Sequence, residues 1–219
     1  MRKTRFATYA LIATLLALFT ALPARADPLA DFTAAESIFR KAAAKESSAT
    51  DEAVRRFEQL SAADSPLSPL FTAYLGAAQT MQGRDAWMPW TKMRATERGL
   101  DTLEKALRRL ELRHNRELVR GTPVAIEVRL VAATTFIAVP SMFNRYDLGK
   151  QALRDAFASP AFAAAPAEVK ASLHQQAALA AGRDKNPREE TAHLKQALEA
   201  EPTGAIAEAA RRRLQALGS

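Results

Sequence analysis

The sequence predicts an all-α protein built from antiparallel helical hairpins. Apolar residues recur at intervals of three and four, and helix starts are marked by capping residues or prolines. Alternating β-branched runs, which indicate strands, are missing. Of 219 residues, 48% are hydrophobic and 25% are charged, proportions typical of a globular protein. Because the chain has no cysteine, a thiol nucleophile, a cysteine-ligated metal and a disulfide are excluded.

The first 26 residues have the pattern of a secretory signal peptide, and residues 27–219 form the predicted helical-repeat domain. The pattern comprises early basic residues, an uncharged apolar stretch and a small-x-small cleavage site: Arg2, Lys3 and Arg5; Leu11 to Leu22; and Ala24-Arg25-Ala26. The alternative is a transmembrane anchor, but the apolar stretch is too short to span about 30 Å of hydrocarbon. We therefore expect a periplasmic protein cleaved after Ala26. Without a cysteine at the cut, it is not a lipoprotein.

The net charge of +7 is largely a property of this leader. Four of the 31 basic residues lie in the first 26 positions and none of the 24 acidic ones does, so residues 27–219 carry +3. Nucleic-acid binding requires a focused basic face. The small remaining charge and the predicted export therefore argue against a nucleic-acid partner.

Four helices are predicted in the first half of the domain, each with apolar residues along one side. They are Leu29–Lys45 with Phe32, Phe39 and Ala42; Asp51–Leu60 with Val54 and Phe57; Pro66–Gln82 with Leu67, Leu70, Phe71, Tyr74, Leu75 and Ala78; and Trp90–Leu112 with Met93, Leu100, Leu103, Leu107 and Leu110. One-sided apolar stripes require that the helices pack on each other.

Five more helices are predicted in the second half. Thr122-Pro123 opens a buried helix to Val139, because a capping residue is followed by a proline of the first turn. Asn186-Pro187-Arg188-Glu189 resembles a capping box and opens another. The set is Val124–Val139 with Ile126, Leu130, Val131 and Ile137; Asp147–Ala158 with Leu148, Ala152 and Phe157; Pro166–Ala181 with Val169, Leu173 and Ala177; Pro187–Ala200; and Thr203–Leu217.

The paired helices resemble tetratricopeptide repeats. His174 to Pro202 is similar to one unit, with small residues in its first helix and Leu194 and Ala197 in its second. A second unit is similar to the segment that contains Leu75-Gly76, Gly99, Leu103 and Ala106. Two further segments, residues 130–160 and residues 32–60, resemble two more units. The aromatic residue at the start of the family's unit is replaced by His174, and the turns are longer. The resemblance implies a short solenoid of stacked hairpins.

A second resemblance is local. Three short segments together resemble a motif of exported bacterial helical-repeat proteins. They are Arg84-Asp85-Ala86-Trp87-Met88-Pro89-Trp90-Thr91-Lys92, Gly99-Leu100 and Val139-Pro140-Ser141-Met142-Phe143. The resemblance implies membership of that group and no reaction, because the group has no assigned activity.

Two turns concentrate the candidate binding residues. The first contains both tryptophans of the chain, and the second is rich in aromatic residues; the candidates are Arg84, Asp85, Trp87, Trp90 and Lys92 with Phe143, Arg145 and Tyr146. Equivalent turns of stacked hairpins lie at the same end, so we expect Trp87 or Trp90 to lie near Phe143 or Tyr146. Two interpretations stay open. The rings line a binding recess, or they plug the end of the helical core.

The histidines and carboxylates do not form a recognisable catalytic set. His174 and His193 face each other if their helices form a hairpin, and His114 is expected to be exposed. Motifs of serine hydrolases, zinc proteases, P-loops and Rossmann folds are missing from the sequence. The sequence therefore predicts a non-enzymatic protein with no cofactor and no metal.

Two functional hypotheses follow. The first is a periplasmic helical-repeat scaffold that binds a protein or peptide of the cell envelope on its concave side and at the aromatic turns. The alternative is a periplasmic ligand-binding or chaperone module that holds an apolar or glycan ligand at Trp87 and Trp90. A third possibility, an envelope enzyme, would require a buried acid that no motif identifies. After cleavage, neither main hypothesis includes a stable membrane anchor.

Overall fold

The computed structural model describes residues 27–46 and 48–218, which form nine α-helices and one very short two-stranded sheet. The helices are α1 Pro28–Ala43, α2 Ala49–Ala62, α3 Ser68–Asp85, α4 Pro89–Arg108, α5 Val124–Ala138, α6 Tyr146–Phe157, α7 Ala167–Arg183, α8 Pro187–Ala200 and α9 Gly204–Ala216. The all-α prediction is thus confirmed. The predicted signal peptide lies outside the described residues.

Helix starts follow the capping residues and prolines of the sequence. The Asp27 side chain accepts a hydrogen bond from the backbone N–H of Leu29 at 3.0 Å, and Asn186 accepts one from Glu189 at 3.2 Å. Pro89 and Pro187 each occupy the first turn of their helix, where a missing N–H costs nothing. These local signals explain why the helix positions could be predicted.

One segment differs from the predicted pattern. Helix α4 ends at Arg108, and the chain continues through a 3₁₀ turn, Leu112–Asn115, into β1 Leu118–Val119 and β2 Thr122–Pro123. The strands pair antiparallel, with Val119 opposite Thr122. Arg120 and Gly121 form the turn with φ of 50° and 79°, positive values that two-residue hairpin turns require. The expectation that no strand occurs is therefore wrong for these four residues.

Helices α1, α3, α5 and α7 each pack against the helix that follows them, and α9 packs against α8. In addition, α1 contacts α3, α3 contacts α5, α5 contacts α7 and α7 contacts α9. Glycines lie where the paired helices approach closely, as Gly149 does against Ile137 and Gly182 against Glu190. The odd-numbered helices thus form a continuous row through the molecule.

The buried side chains form three successive clusters along this row. The first is rich in aromatic rings, with the Phe32 ring centroid 6.2 Å from that of Phe57 and 5.2 Å from that of Tyr74. The second surrounds Leu173, and the third surrounds Leu194. The α3–α4 hairpin contributes to the first cluster, so its turn extends from this aromatic-rich part of the core.

Candidate binding site

The two tryptophans lie on the surface at the turn of the second hairpin, α3–α4. Three residues, Ala86 to Met88, connect α3 to α4, and Pro89 then begins α4. Trp87 is 91% exposed and Trp90 is 60% exposed, and Met88 and Met93 beside them are also exposed. The interpretation that the indoles plug the end of the core is therefore wrong. We call Trp87, Met88, Trp90 and Met93 the indole surface.

Arg84 and Asp85 fix the end of α3 against the first hairpin. The Arg84 Nε atom lies 2.6 Å from Asp85 Oδ1, and its Nη2 donates to the carbonyl of Ala42 at 2.9 Å. Asp85 also accepts a hydrogen bond from the Thr50 hydroxyl at 2.7 Å. The Arg84 guanidinium holds the pKa of the Asp85 carboxyl below its usual range. This pair therefore positions the Trp87 turn relative to α1 and α2.

A cleft of about 540 Å³ opens beside the indole surface. Its walls come from the α1–α2 turn, the start of α2, the end of α3 and the first half of α4, and they include Lys45, Thr50, Asp51, Asp85, Arg94 and Arg98. Ala86 and Thr91 also line the cleft, and they are sequence neighbours of Trp87 and Trp90. The indoles are therefore sequence neighbours of residues that line a concave cleft with both polar and apolar walls.

Charges in the cleft are only partly neutralised. Asp51 accepts a hydrogen bond from Gln82 Nε2 at 2.8 Å, and Asp85 is paired with Arg84. By contrast, the guanidinium groups of Arg94 and Arg98 make no hydrogen bond or ion pair with any other described residue. The cleft thus presents two arginines whose donors are available to a bound molecule.

The remaining predicted site residues belong to a different part of the molecule. Phe143 is buried in the first apolar cluster. The Arg145 guanidinium lies 3.1 Å from Asp101 and 2.7 Å from Glu104, positions on α4 that a rise of 1.5 Å per residue places about 16 and 21 Å beyond Trp90. Neither indole takes part in a ring contact among the described residues. The expected contact of an indole with Phe143 is not formed.

Tyr146 packs toward the fourth hairpin, α7–α8, rather than toward the indole surface. Its hydroxyl donates to the carbonyl of Ala180 at 2.8 Å and lies 2.9 Å from Asp184 Oδ1, while the Arg183 guanidinium lies 4.2 Å from the ring centroid. Burial, with the Asp184 carboxylate, raises the pKa of Tyr146 to about 12. The predicted site is therefore divided between two parts of the molecule. Lys92, the remaining candidate, is exposed near Trp90 on α4.

The histidines were predicted with mixed success. His174 Nδ1 lies 3.1 Å from His193 Nδ1, as the hairpin hypothesis required, and the Phe157 ring stacks on His174 at 4.8 Å between centroids. His114 is fully buried, which contradicts the expected exposure. Its Nδ1 accepts the backbone N–H of Glu111 at 2.8 Å, so the ring closes the 3₁₀ turn after α4. That turn was not predicted.

A buried ionic network was missed entirely. Arg120 lies between the carboxylates of Glu36 and Glu127, and the Tyr74 hydroxyl donates to Glu127 Oε1 at 2.6 Å. Burial raises the pKa of Glu127. The network joins α1, α3 and α5 to the β-turn. The one signal for it was Glu127 itself, a charged residue within the apolar run that begins at Val124.

No known protein family, curated protein or solved structure matches this chain. A metal ion needs a group of at least three histidine, aspartate or glutamate side chains, and the described residues contain no such group. No helix in the described part combines the length and apolar character needed to span a bilayer. The exposed indoles and their cleft are therefore the feature on which a functional proposal depends.

Proposed function

We propose that this protein is a periplasmic, non-enzymatic helical-repeat scaffold that binds a protein or peptide of the cell envelope. The observation that carries the proposal is the exposure of Trp87 and Trp90, at 91% and 60% of their surface. Tryptophan is among the residues that contribute most to binding energy at protein interfaces. A group of exposed apolar side chains on a water-facing turn is typical of an interaction site.

The packing of the helices supports a tetratricopeptide-like solenoid within this proposal. The row of contacts from α1 through α3, α5 and α7 to α9 is what stacked hairpins produce. The first helices of the pairs, α1, α3, α5 and α7, contact one another along the row. An array of hairpins curves around the helices that contact one another most closely. Helix α3 is buried on all sides from Pro69 to Gln79. We therefore propose that α1, α3, α5 and α7 form the inner row of the array and that the partner binds at the indole surface.

Export to the periplasm is proposed from the first 26 residues alone. The basic start, apolar stretch and Ala24-Arg25-Ala26 site favour cleavage before Asp27. N-terminal sequencing of the protein purified from a periplasmic fraction tests this point. A chain beginning at Asp27 is expected, and a chain that keeps the first 26 residues would contradict it.

The buried acid that an enzyme hypothesis requires is present as Glu127, but its surroundings favour a structural role. Its Oε1 accepts hydrogen bonds from Tyr74 and lies 3.3 Å from Arg120 Nη2. The cleft beside the indole surface is lined by other residues. A catalytic acid must reach a substrate, so these contacts support the non-enzymatic proposal.

The test is photocrosslinking in the native envelope from a photoreactive residue in place of Met88. We expect a discrete protein adduct that disappears in the Trp87→Ala/Trp90→Ala variant. The control is a photoreactive residue in place of Leu112. This residue is 85% exposed and lies far from the indole surface in sequence. Equal adducts from both positions, or adducts that persist without the indoles, would contradict the proposal.

The alternative, a module for an apolar or glycan ligand, uses the same two indoles. It is favoured by the cleft, whose volume of about 540 Å³ is within the range of small-molecule sites. Tryptophan fluorescence separates the two hypotheses, since both indoles of the chain lie in the site. A shift on adding peptidoglycan fragments, together with no protein adduct at position 88, would favour this alternative over a protein partner.

A further inference from the structure

One face of α4 carries a regular row of side chains beside the cleft. Trp90, Arg94 and Arg98 are spaced four residues apart, so they lie above one another on the helix. Arg94 and Arg98 line the cleft directly, and Trp90 lies next to Thr91, which also lines it. The row therefore places one indole and two guanidinium groups in line, at steps of about 6 Å along the helix axis.

The unneutralised charge along this row is positive. Neither guanidinium has a side-chain partner among the described residues. Of the two aspartates of the cleft, Asp85 is paired with Arg84, whereas Asp51 accepts a hydrogen bond from the neutral Gln82 amide and keeps its negative charge, so two free positive charges face one negative charge. Like charges four residues apart destabilise a helix. The two other charged residues of the wall, Lys45 and Glu46, are of opposite sign. An anionic ligand would relieve the repulsion between the arginines.

We propose that the cleft binds an extended acidic peptide segment in which one apolar residue is followed or preceded by acidic residues at alternate positions. An extended chain advances about 3.3 Å per residue, so every second side chain recurs at about 6.6 Å on the same side. That spacing matches the row. The apolar side chain packs on Trp90, and the two carboxylates accept charge-assisted hydrogen bonds from Arg94 and Arg98. This inference rests on the proposed peptide-binding function.

The experiment is a fluorescence titration of the protein spanning residues 27–219 with synthetic peptides. The probe is acetyl-Gly-Leu-Ser-Glu-Ser-Glu-Gly-amide together with its reversed sequence, because the chain direction is part of the question. Two comparison peptides carry Gln in place of Glu, or carry both Glu residues adjacent to Leu. We expect at least one direction of the probe to bind at least tenfold more tightly than both comparison peptides.

Variants identify the residues responsible. Arg94→Gln and Arg98→Gln are each expected to weaken binding of the probe at least fivefold and to reduce its dependence on salt. Arg116→Gln is the matched control, since Arg116 is an exposed arginine outside the cleft, and no change is expected. Equal binding by the acidic and Gln peptides, or no binding by the probe, would overturn the inference.

The proposed function and this inference fail in different ways. If the adduct at position 88 depends on the indoles but the acidic probe has no advantage, the proposed function stands and the inference falls. If the adduct does not depend on the indoles, the proposed function falls. Binding of phosphatidylglycerol vesicles that abolishes the preference for the acidic probe would assign the arginine row to a membrane surface and overturn the peptide assignment.

Discussion

The backbone carbonyl oxygen of Gly99 lies 2.7 Å from the position that a Cβ atom on Gly76 would occupy. In the opposite direction, the carbonyl of Gly76 lies 2.5 Å from a Cβ built on Gly99. The backbones of α3 and α4 are therefore in direct contact at this crossing. The contact sets the distance between the two helices, and with it the position of the Trp87 turn at their ends.

Replacing Gly76 by alanine should destabilise the protein. Alanine favours helix by up to about 1 kcal/mol over glycine, but the added methyl would overlap backbone atoms of α4 that cannot move independently. Overpacking of this kind costs about 1–3 kcal/mol. We expect a net loss of stability in urea unfolding followed by circular dichroism. A gain in unfolding free energy, as helix propensity alone predicts, would show that the crossing is not tightly packed.

Removing Arg120 should also destabilise the protein, because two buried carboxylates would lose their common partner. The side chains of Glu36 and Glu127 are only 6% and 8% exposed, but the Arg120 side chain is 36% exposed, so the cost is below the roughly 3–5 kcal/mol of a fully buried ion pair. Arg120→Asn is the variant to use, since asparagine tolerates the positive φ of this turn. Since Glu36 keeps Arg40 and Glu127 keeps Tyr74 as partners, we expect a loss of about 1–3 kcal/mol in urea unfolding.

Arg116→Asn provides the comparison for this substitution. Arg116 is exposed in the same connection between α4 and α5, and its side chain makes no ion pair with the described residues. Its substitution should change the unfolding free energy by no more than about 0.5 kcal/mol. Similar losses for both variants would mean that Arg120 acts through the turn and not through the two carboxylates.

The His174–His193 pair should make the protein less stable as the pH falls below about 6.5. Burial lowers the pKa of His174 to about 4 and also lowers the pKa of His193, while unfolded histidine titrates near 6.5. Between these values the unfolded chain binds more protons than the folded one, so acid favours unfolding. Urea midpoints measured at pH 7 and pH 5 check this, and the midpoint should be lower at pH 5.

His174→Gln/His193→Gln should remove much of that pH dependence. Glutamine can still form a side-chain hydrogen bond between α7 and α8 but does not titrate. The midpoints of this variant at pH 7 and pH 5 should therefore lie closer together than those of the wild type. An unchanged difference would assign the acid sensitivity to groups other than this pair.

The fold could be predicted from the sequence where local chemistry decides it. Prolines and caps such as Asn186 mark helix starts, and the one-sided apolar stripes require packing between helices. The facing of His174 and His193 follows from the same hairpin geometry. The β-turn could not be foreseen, because an arginine rarely adopts the positive φ that Arg120 has. The burial of His114 depends on that unforeseen turn.

The candidate site could be predicted only in part. Two tryptophans in a short turn are unusual, and this pattern predicts a site there. Their exposure could not be predicted, because it depends on how far the turn extends from the core. The expected contact with Phe143 is not formed because the chain after Phe143 is held farther along α4, where Arg145 pairs with Asp101 and Glu104. These ion pairs join residues that are distant in sequence, so no local pattern predicts them. The sequence of α4 alone does not predict the role of Arg94 and Arg98, because the cleft that they line is formed together with residues of α2 and α3.

The most direct test of the central claim is a paired measurement on Trp87→Ala/Trp90→Ala. Because both indoles are mainly in solvent, circular dichroism should give an unfolding free energy within about 0.5 kcal/mol of the wild type. The same variant should lose the protein adduct formed from position 88. A loss of about 3–5 kcal/mol, the cost of truncating a core aromatic residue, with the adduct retained, would contradict the claim that the indoles serve binding and not folding.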